Sequence, residues 1–158
     1  MQQLIETLAG VATAVGVVFV WLQFRQANRQ SQTNFEDDLA REYRELARHI
    51  PTEALLNKEL SGSEQEKALP YLYQYVDLCN EQTFLRMVDR ISEKTWTFWR
   101  DGLRTNLARP AFKAAWDRIK ADCPNSFEEL RLLESSNFKD DPRQWKESSL
   151  SQKQNEVN

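Results

Sequence analysis

Residues Leu8-Ala-Gly-Val-Ala-Thr-Ala-Val-Gly-Val-Val-Phe-Val-Trp-Leu22 form an apolar run that contains no charged side chain. Together with its flanks, the segment 4–24 has about 21 residues and would be roughly 31 Å long as one α-helix, enough to cross a bilayer. A signal peptide would need positive charge at its start, and residues 1–6 contain no Lys or Arg. A core helix of a soluble domain is usually shorter. The sequence therefore predicts a transmembrane helix over residues 4–24.

The charges at the two ends of this segment set its expected orientation. Arg25 and Arg29 follow its C-terminal end, whereas Glu6 is the charged residue at its N-terminal end. Lys and Arg are enriched in cytoplasmic loops, and aromatic residues such as Trp21 are enriched at the headgroups. We therefore expect a single-pass protein of the bacterial inner membrane, with the N-terminus outside and the C-terminal domain in the cytoplasm.

Three further regions follow the predicted anchor. Residues 25–34 are polar and lack Pro and Gly, which favours a helical stalk, with a short linker as the alternative. Residues 35–135 carry apolar side chains at helical spacing and form the predicted domain, whereas residues 136–158 lack periodicity and are predicted to be disordered. The net charge of −3 does not favour nucleic acid as a partner.

The spacing of apolar residues throughout the domain is that of helices, and no strand alternation competes with it. The predicted fold class is all-α, with one N-terminal transmembrane helix followed by a small cytoplasmic helical bundle. Trp96 and Trp99 are predicted to lie in its core. The expected helix boundaries are a stop before Pro51, a short helix over Thr52–Leu60, a start at Pro70, an N-cap at Ser92, a start at Pro110 and a capping box over Ser126-Phe-Glu-Glu129.

The sharpest candidate for chemistry is Arg44-Glu-Leu-Ala-Arg-His49, which contains the only histidine of the chain. Its Arg-x4-His spacing resembles that of HEPN-type ribonucleases. The resemblance implies that His49 is a general acid or base and that Arg44 stabilises phosphate charge, with a second subunit completing the site. The alternative is that both residues favour the dipole at a helix C-terminus, and this reading makes His49 dispensable. The second reading predicts that the chain is not an enzyme.

A second candidate is the polar pair Asn80-Glu81, which falls on or beside an apolar helix face. Such a pair can bind a ligand, but a buried amide can also hydrogen-bond the backbone of a neighbouring helix. One His and two distant Cys cannot close a zinc site, so neither a metal nor a cofactor is expected. Cys79 and Cys123 are expected as free thiols.

The third candidate is a small-residue face within the predicted anchor. Small side chains allow two membrane helices to approach closely, and spacings of four residues between them are typical of packing faces. We therefore expect a homo-oligomer that associates through this face. The residues concerned are Gly10, Ala12, Thr13, Ala14 and Gly16.

Four motifs carry a resemblance that extends over roughly residues 4–135: Ile50-Pro-Thr-Glu-Ala-Leu-Leu56, Tyr75-Val-Asp-Leu-Cys-Asn-Glu-Gln82, Arg90-Ile-Ser-Glu-Lys-Thr-Trp96 and Trp99-Arg-Asp-Gly102. They resemble those of a bacterial family of uncharacterised single-span membrane proteins with a cytoplasmic helical domain. The overall layout is also similar to that of the membrane accessory proteins of some RNA-targeting CRISPR systems. The first resemblance implies the architecture but no activity, and the second implies an oligomeric pore.

These observations lead to one expected function and two alternatives. We expect a membrane-anchored, self-associating protein with an interaction or scaffold role, which presents its domain to a cytoplasmic protein partner. The first alternative is an oligomeric membrane pore or effector in phage defence. The second is a HEPN-like ribonuclease.

Overall fold

The computed structural model of the chain describes the backbone of residues 2–145 and the side chains of residues 19–145. The regular secondary structure of this range is entirely α-helical, so the predicted all-α fold class is confirmed. The helices are α1 (Gln2–Ala47), α2 (Thr52–Leu55), α3 (Gly62–Met87), α4 (Glu93–Leu107), α5 (Pro110–Asp122) and α6 (Glu128–Ser135).

Helix α1 includes the predicted anchor and continues through residues 25–34, which are helical throughout. The chain divides into two compact units, the first ending at Asp37 and the second beginning at Asp38. Among the described residues, no helix combines the length and the apolar character that crossing a membrane requires. Residues 4–18 of the predicted span lie outside the described side chains.

The core of the second unit is built around α3, which packs against α5 and α6, while α4 and α2 also contact α5. The ring of Phe112 on α5 meets Tyr75 on α3 edge-on, with centroids 5.0 Å apart. Trp116, one turn further along α5, meets Phe127 in the same manner at 6.0 Å. Edge-to-face pairs of this kind stabilise a core beyond the area that they bury, which fixes α5 against its neighbours.

Helix α3 begins at Gly62, eight residues before the start that Pro70 predicts. A capping box explains the earlier start, because the Ser61 N–H donates to the Glu64 carboxylate at 2.9 Å. Pro70 lies inside the helix, where it leaves the carbonyl of Glu66 without its usual donor. Both residues are exposed, so water can satisfy that carbonyl. The proline therefore does not break the helix.

The other helix boundaries agree with the sequence in part. The predicted starts of α4 and α5 are confirmed, and the N–H of Thr95 donates to the predicted N-cap oxygen of Ser92 at 3.3 Å. Helix α2 ends at Leu55 rather than at Leu60, because the backbone turns into the left-handed region at Asn57. Asparagine tolerates that conformation better than most residues.

The ordered chain extends beyond residue 135, where the sequence predicts the disordered tail to begin. The Pro142 side chain is fully buried, and the Asp141 carboxylate pairs with the buried guanidinium of Arg86 on α3. The prediction of disorder is therefore wrong for residues 136–145, and residues 146–158 lie outside the described part of the chain. Individual side-chain contacts, rather than a periodic apolar face, hold this segment in place, so its sequence carries no periodic signal.

Candidate functional site

A cleft of about 710 Å³ lies in the second unit, lined by the C-terminal part of α1, by α3, by α4 and by Arg109. We call it the α4 cleft, after the helix that supplies Phe98, Trp99 and Gly102 to its wall. Pockets for small molecules usually have volumes of about 300–1,000 Å³ and combine apolar walls with a few polar groups. The volume of the α4 cleft falls within that range.

Four aromatic side chains supply much of the apolar wall of the cleft: Tyr43, Tyr75, Phe98 and Trp99. Tyr43 and Tyr75 lie with their ring centroids 6.1 Å apart. Phe98 is 78% exposed, an unusual position for a ring of that size. Trp96 is in the core as predicted, but the prediction for Trp99 is wrong, since Trp99 is half-buried and faces the cleft.

The polar groups of the wall lie deep. The Asn106 side-chain amide donates to the phenolic oxygen of Tyr75 at 2.9 Å, and both residues are buried. Burial raises the pKa of Tyr75 well above its usual value, and the nearby Cys79 adds to the effect. Gln82 is only 5% exposed and also lines the cleft.

Two arginines give the cleft a positive character. Arg44 on α1 and Arg109 after α4 both line it, and neither forms an ion pair within the described part of the chain. The one carboxylate in the wall, Asp101, faces the neighbouring Arg104 at 3.8 Å, and both side chains are well exposed. The cleft therefore holds more positive than negative charge.

Gly102 leaves the middle of the cleft open. It lies within α4, and a Cβ built at this position would meet nothing within 4 Å. Glycine in a helix interior costs about 0.5–1 kcal/mol relative to alanine. No tight packing requires the glycine here, and its absent side chain adds to the free volume of the cleft.

Comparisons with protein-family models, curated proteins and solved structures find no match to this chain.

The structure does not bring Arg44 and His49 together. Arg44 lines the α4 cleft, whereas His49 lines a separate cleft of about 320 Å³ and stacks on Tyr71 with ring centroids 5.1 Å apart. The reason is geometric, because residues five apart on a helix are about 140° apart around its axis, and α1 also ends at Ala47.

This second cleft, which we call the acidic cleft, contains Glu81. Its lining also includes Asp77 one turn before Glu81, together with Glu42 and Glu45 of α1. Partial burial and the charges of Glu42 and Asp77 raise the pKa of Glu81. Among the residues that the structure describes, no group of His, Cys, Asp and Glu side chains could hold a metal ion.

Asn80 has a structural role instead of lining a site. Its carbonyl oxygen accepts the Leu130 N–H of α6 at 3.0 Å, and its amide donates to Glu129 at 3.1 Å. The predicted capping box at Ser126 is wrong, because the N-cap position is Phe127, in left-handed conformation and without a side-chain bond. Asn80 therefore supplies from α3 the acceptor that an N-cap side chain usually provides.

The remaining sequence candidates divide into two groups. The small-residue face of the anchor lies outside the described side chains; its members are Gly10, Ala12, Thr13, Ala14 and Gly16. The cysteines lie within the described range, and both are free. Cys79 is fully buried, and burial raises the pKa of its thiol to about 12, although a hydrogen bond with Tyr75 acts in the opposite direction.

The α4 cleft was not predicted from the sequence, but two signals point to it. Phe98 is a large aromatic residue outside the apolar stripe of α4, and Gly102, one turn later, is a poor helix former in the middle of a helix. Both residues lie beside the stripe rather than on it. The apolar stripe that predicts the core therefore does not include either residue.

Proposed function

We propose that this chain is a membrane-anchored, self-associating helical protein whose second unit has an interaction or scaffold role. The observation that carries the proposal is a row of large apolar side chains on α1 that are 50–69% exposed: Phe19, Val20, Trp21, Leu22 and Phe24. Contiguous apolar surface of this kind marks contact with a membrane or with another protein. The apolar sequence that precedes it favours the membrane.

The residues at the end of this row support the proposed orientation. The guanidinium of Arg25 lies 5.3 Å from the centroid of the Trp21 ring. Tryptophan and arginine are both enriched where a membrane helix leaves the bilayer on the cytoplasmic side. We propose the bacterial inner membrane as the location, with the second unit in the cytoplasm.

The second unit carries the proposed interaction role. Phe98, 78% exposed beside a concave surface, supports this role because aromatic residues are enriched in protein interfaces. The separation of Arg44 from His49 weighs against the ribonuclease alternative. The partner that we propose for this unit is a cytoplasmic protein.

Anchoring is tested with the full-length protein in bacterial membranes. We expect it to stay in the membrane pellet after washing at alkaline pH, and we expect Val15→Lys with Val17→Lys to release it. Each lysine near the middle of a span costs about 2.5–3.5 kcal/mol on insertion scales. The matched control is Gln26→Lys with Asn28→Lys, in the polar segment, which should remain in the pellet. Release of the unmodified protein by the wash would refute the anchor.

Self-association is tested by substitution at the small-residue face. A bulky side chain at Gly16 would hold neighbouring helix backbones apart. We expect Gly16→Leu to lower the oligomer size in mild detergent, while Val18→Leu, outside this face, leaves it unchanged. A monomeric parent without crosslinks in membranes would contradict self-association, and a large ring with conductance would favour the pore alternative.

A further inference from the structure

We propose that the α4 cleft is a binding site for a small organic anion that contains a planar apolar ring system. The inference goes beyond the proposed membrane and interaction role, because it concerns a ligand of the second unit rather than its protein partner. It rests on three features of the wall, namely its aromatic faces, its unpaired cations and its buried amide.

The aromatic faces select the ring. Tyr43, Phe98 and Trp99 line the cleft, and Phe98 and Trp99 come from adjacent positions on one helix. Flat apolar groups pack on such faces in offset-stacked or edge-on arrangements, which are more favourable than contact with water.

The two arginines select the charge. Arg44 and Arg109 line the same cleft from different elements, and neither has a carboxylate partner among residues 19–145. An arginine guanidinium binds a carboxylate or a phosphate through paired, charge-assisted hydrogen bonds. Asp101 is the carboxylate in the wall, and Arg104 lies beside it.

The depth of the polar groups favours a small molecule over a protein surface. Gln82 is 5% exposed and Asn106 is 9% exposed, and both residues line the cleft. A small ligand that enters the cleft can reach these amides, whereas a flat protein surface would remain outside. Gly102 keeps the space open that such a ligand needs.

The probes are 2-naphthoate, a planar ring with a carboxylate, and 2-naphthamide, its uncharged counterpart. Binding to the full-length protein in mild detergent is measured by calorimetry, with the detergent alone as the blank. We expect one saturable site for 2-naphthoate and at least about tenfold weaker binding of 2-naphthamide, since a charge-assisted hydrogen bond contributes about that factor.

Substitutions then test separately the contribution of the two arginine charges and that of the free volume of the cleft. We expect Arg44→Gln and Arg109→Gln each to weaken 2-naphthoate by about tenfold and to leave 2-naphthamide unchanged. Arg100→Gln is the matched control, because Arg100 lies on α4 but does not line the cleft, and it should leave both probes unchanged. Gly102→Leu should weaken both probes, whereas Gly62→Leu, which also replaces a glycine with open space around it, should not.

Several results would overturn the inference. These are equal affinity for the two probes, an Arg100→Gln effect as large as that of Arg44→Gln, or binding that persists in Gly102→Leu. Absence of 2-naphthoate binding at millimolar concentration would overturn it as well. A thermal melt of each variant shows that a lost signal is not lost folding. The alkaline wash is independent of these titrations. A failure to bind the probes would therefore not contradict the proposed membrane role, and release by the wash would not contradict the ligand site.

Discussion

The ion pair between Arg86 and Asp141 allows one stability prediction to be worked out in detail. The Arg86 side chain is 1% exposed and makes three hydrogen bonds. Nε donates to Oδ1 of Asp141 at 2.9 Å, Nη2 donates to Oδ2, and Nη1 donates to the Ile91 carbonyl at 2.9 Å. Two of these three bonds therefore depend on one carboxylate, which lies in the segment beyond α6.

Replacement of Asp141 by alanine should leave a positive charge buried with one remaining acceptor. Removing one partner of a buried ion pair typically costs about 3–5 kcal/mol. We expect about 3 kcal/mol, the lower end of that range, because the Asp141 side chain is 28% exposed and water can partly replace it. A loss of this size lowers the melting temperature of a domain of about 100 residues by more than about 10 °C.

The assay is urea unfolding of the full-length protein in mild detergent, followed by near-ultraviolet circular dichroism. The matched control is Arg143→Ala, which removes a pair with Asp89 in which both side chains are largely exposed. Exposed pairs contribute about 0–1 kcal/mol, so this variant should unfold close to the parent.

The pH dependence gives a second measurement on the same pair. Burial raises the pKa of the Asp141 carboxyl, but hydrogen bonds from the Arg86 guanidinium and the Arg143 N–H outweigh it, and the net pKa lies below 3.8. A lowered pKa in the folded state stabilises the protein above pH 3.8, and this contribution is lost as the pH falls through the folded-state pKa. The difference between parent and Asp141→Ala should therefore be full at pH 7 and shrink under strong acid. A loss of less than about 1 kcal/mol in the free energy of unfolding at pH 7 would refute the reasoning, because a buried charge that has lost its partner destabilises a fold by more than that.

Three further predictions concern single side chains of the second unit. Asn80→Ala should cost about 1–2 kcal/mol in urea unfolding, as the loss of an N-cap does. Ser126→Ala, at the position where the sequence predicts the cap, should cost less. The reverse order would contradict the role of Asn80 as the cap of α6. Glu81→Gln should raise stability at pH 7, because partial burial and like charges hold the pKa of Glu81 above 4.5 in the folded state, and such a group destabilises the fold once the pH has risen through its folded-state pKa. The advantage of the variant should vanish below about pH 4, where glutamate is protonated in the unfolded chain as well. A stability gain that persists at that pH would argue against this explanation. Gly102→Ala should raise the melting temperature by an amount equivalent to about 0.5–1 kcal/mol, because alanine is the better helix former and a Cβ at this position meets nothing within 4 Å. A lower melting temperature would show that the glycine is needed for folding.

The sequence predicts those parts of the fold that depend on local signals. The N-cap at Ser92 and the proline at the start of α5 act within a few residues of their own positions, so their spacing is enough to find them. The start of α6 could not be found in this way. Its acceptor is Asn80, 50 residues earlier in the chain, and no local rule links the two.

The candidate site was harder to predict for a similar reason. Periodicity places Trp96 and Trp99 on one stripe, but it does not say where the stripe ends against a neighbouring helix. Trp96 lies in the core and Trp99 at the edge of a cleft, because the tertiary packing decides which positions are covered. Arg44 was singled out for a pairing with His49 that the structure does not make, and its position in the cleft depends on the tertiary fold.

The burial of Cys79 gives the protein a natural reporter of its own unfolding. Thiolates react with alkylating reagents and thiols do not, so a fully buried thiol whose pKa is about 12 is inert while α3 stays packed. Cys123, at the end of α5, is partly exposed and can be blocked first under native conditions. Any later labelling of Cys79 then counts the molecules in which the core has opened. Pulse alkylation of the full-length protein therefore follows that opening without a spectroscopic signal.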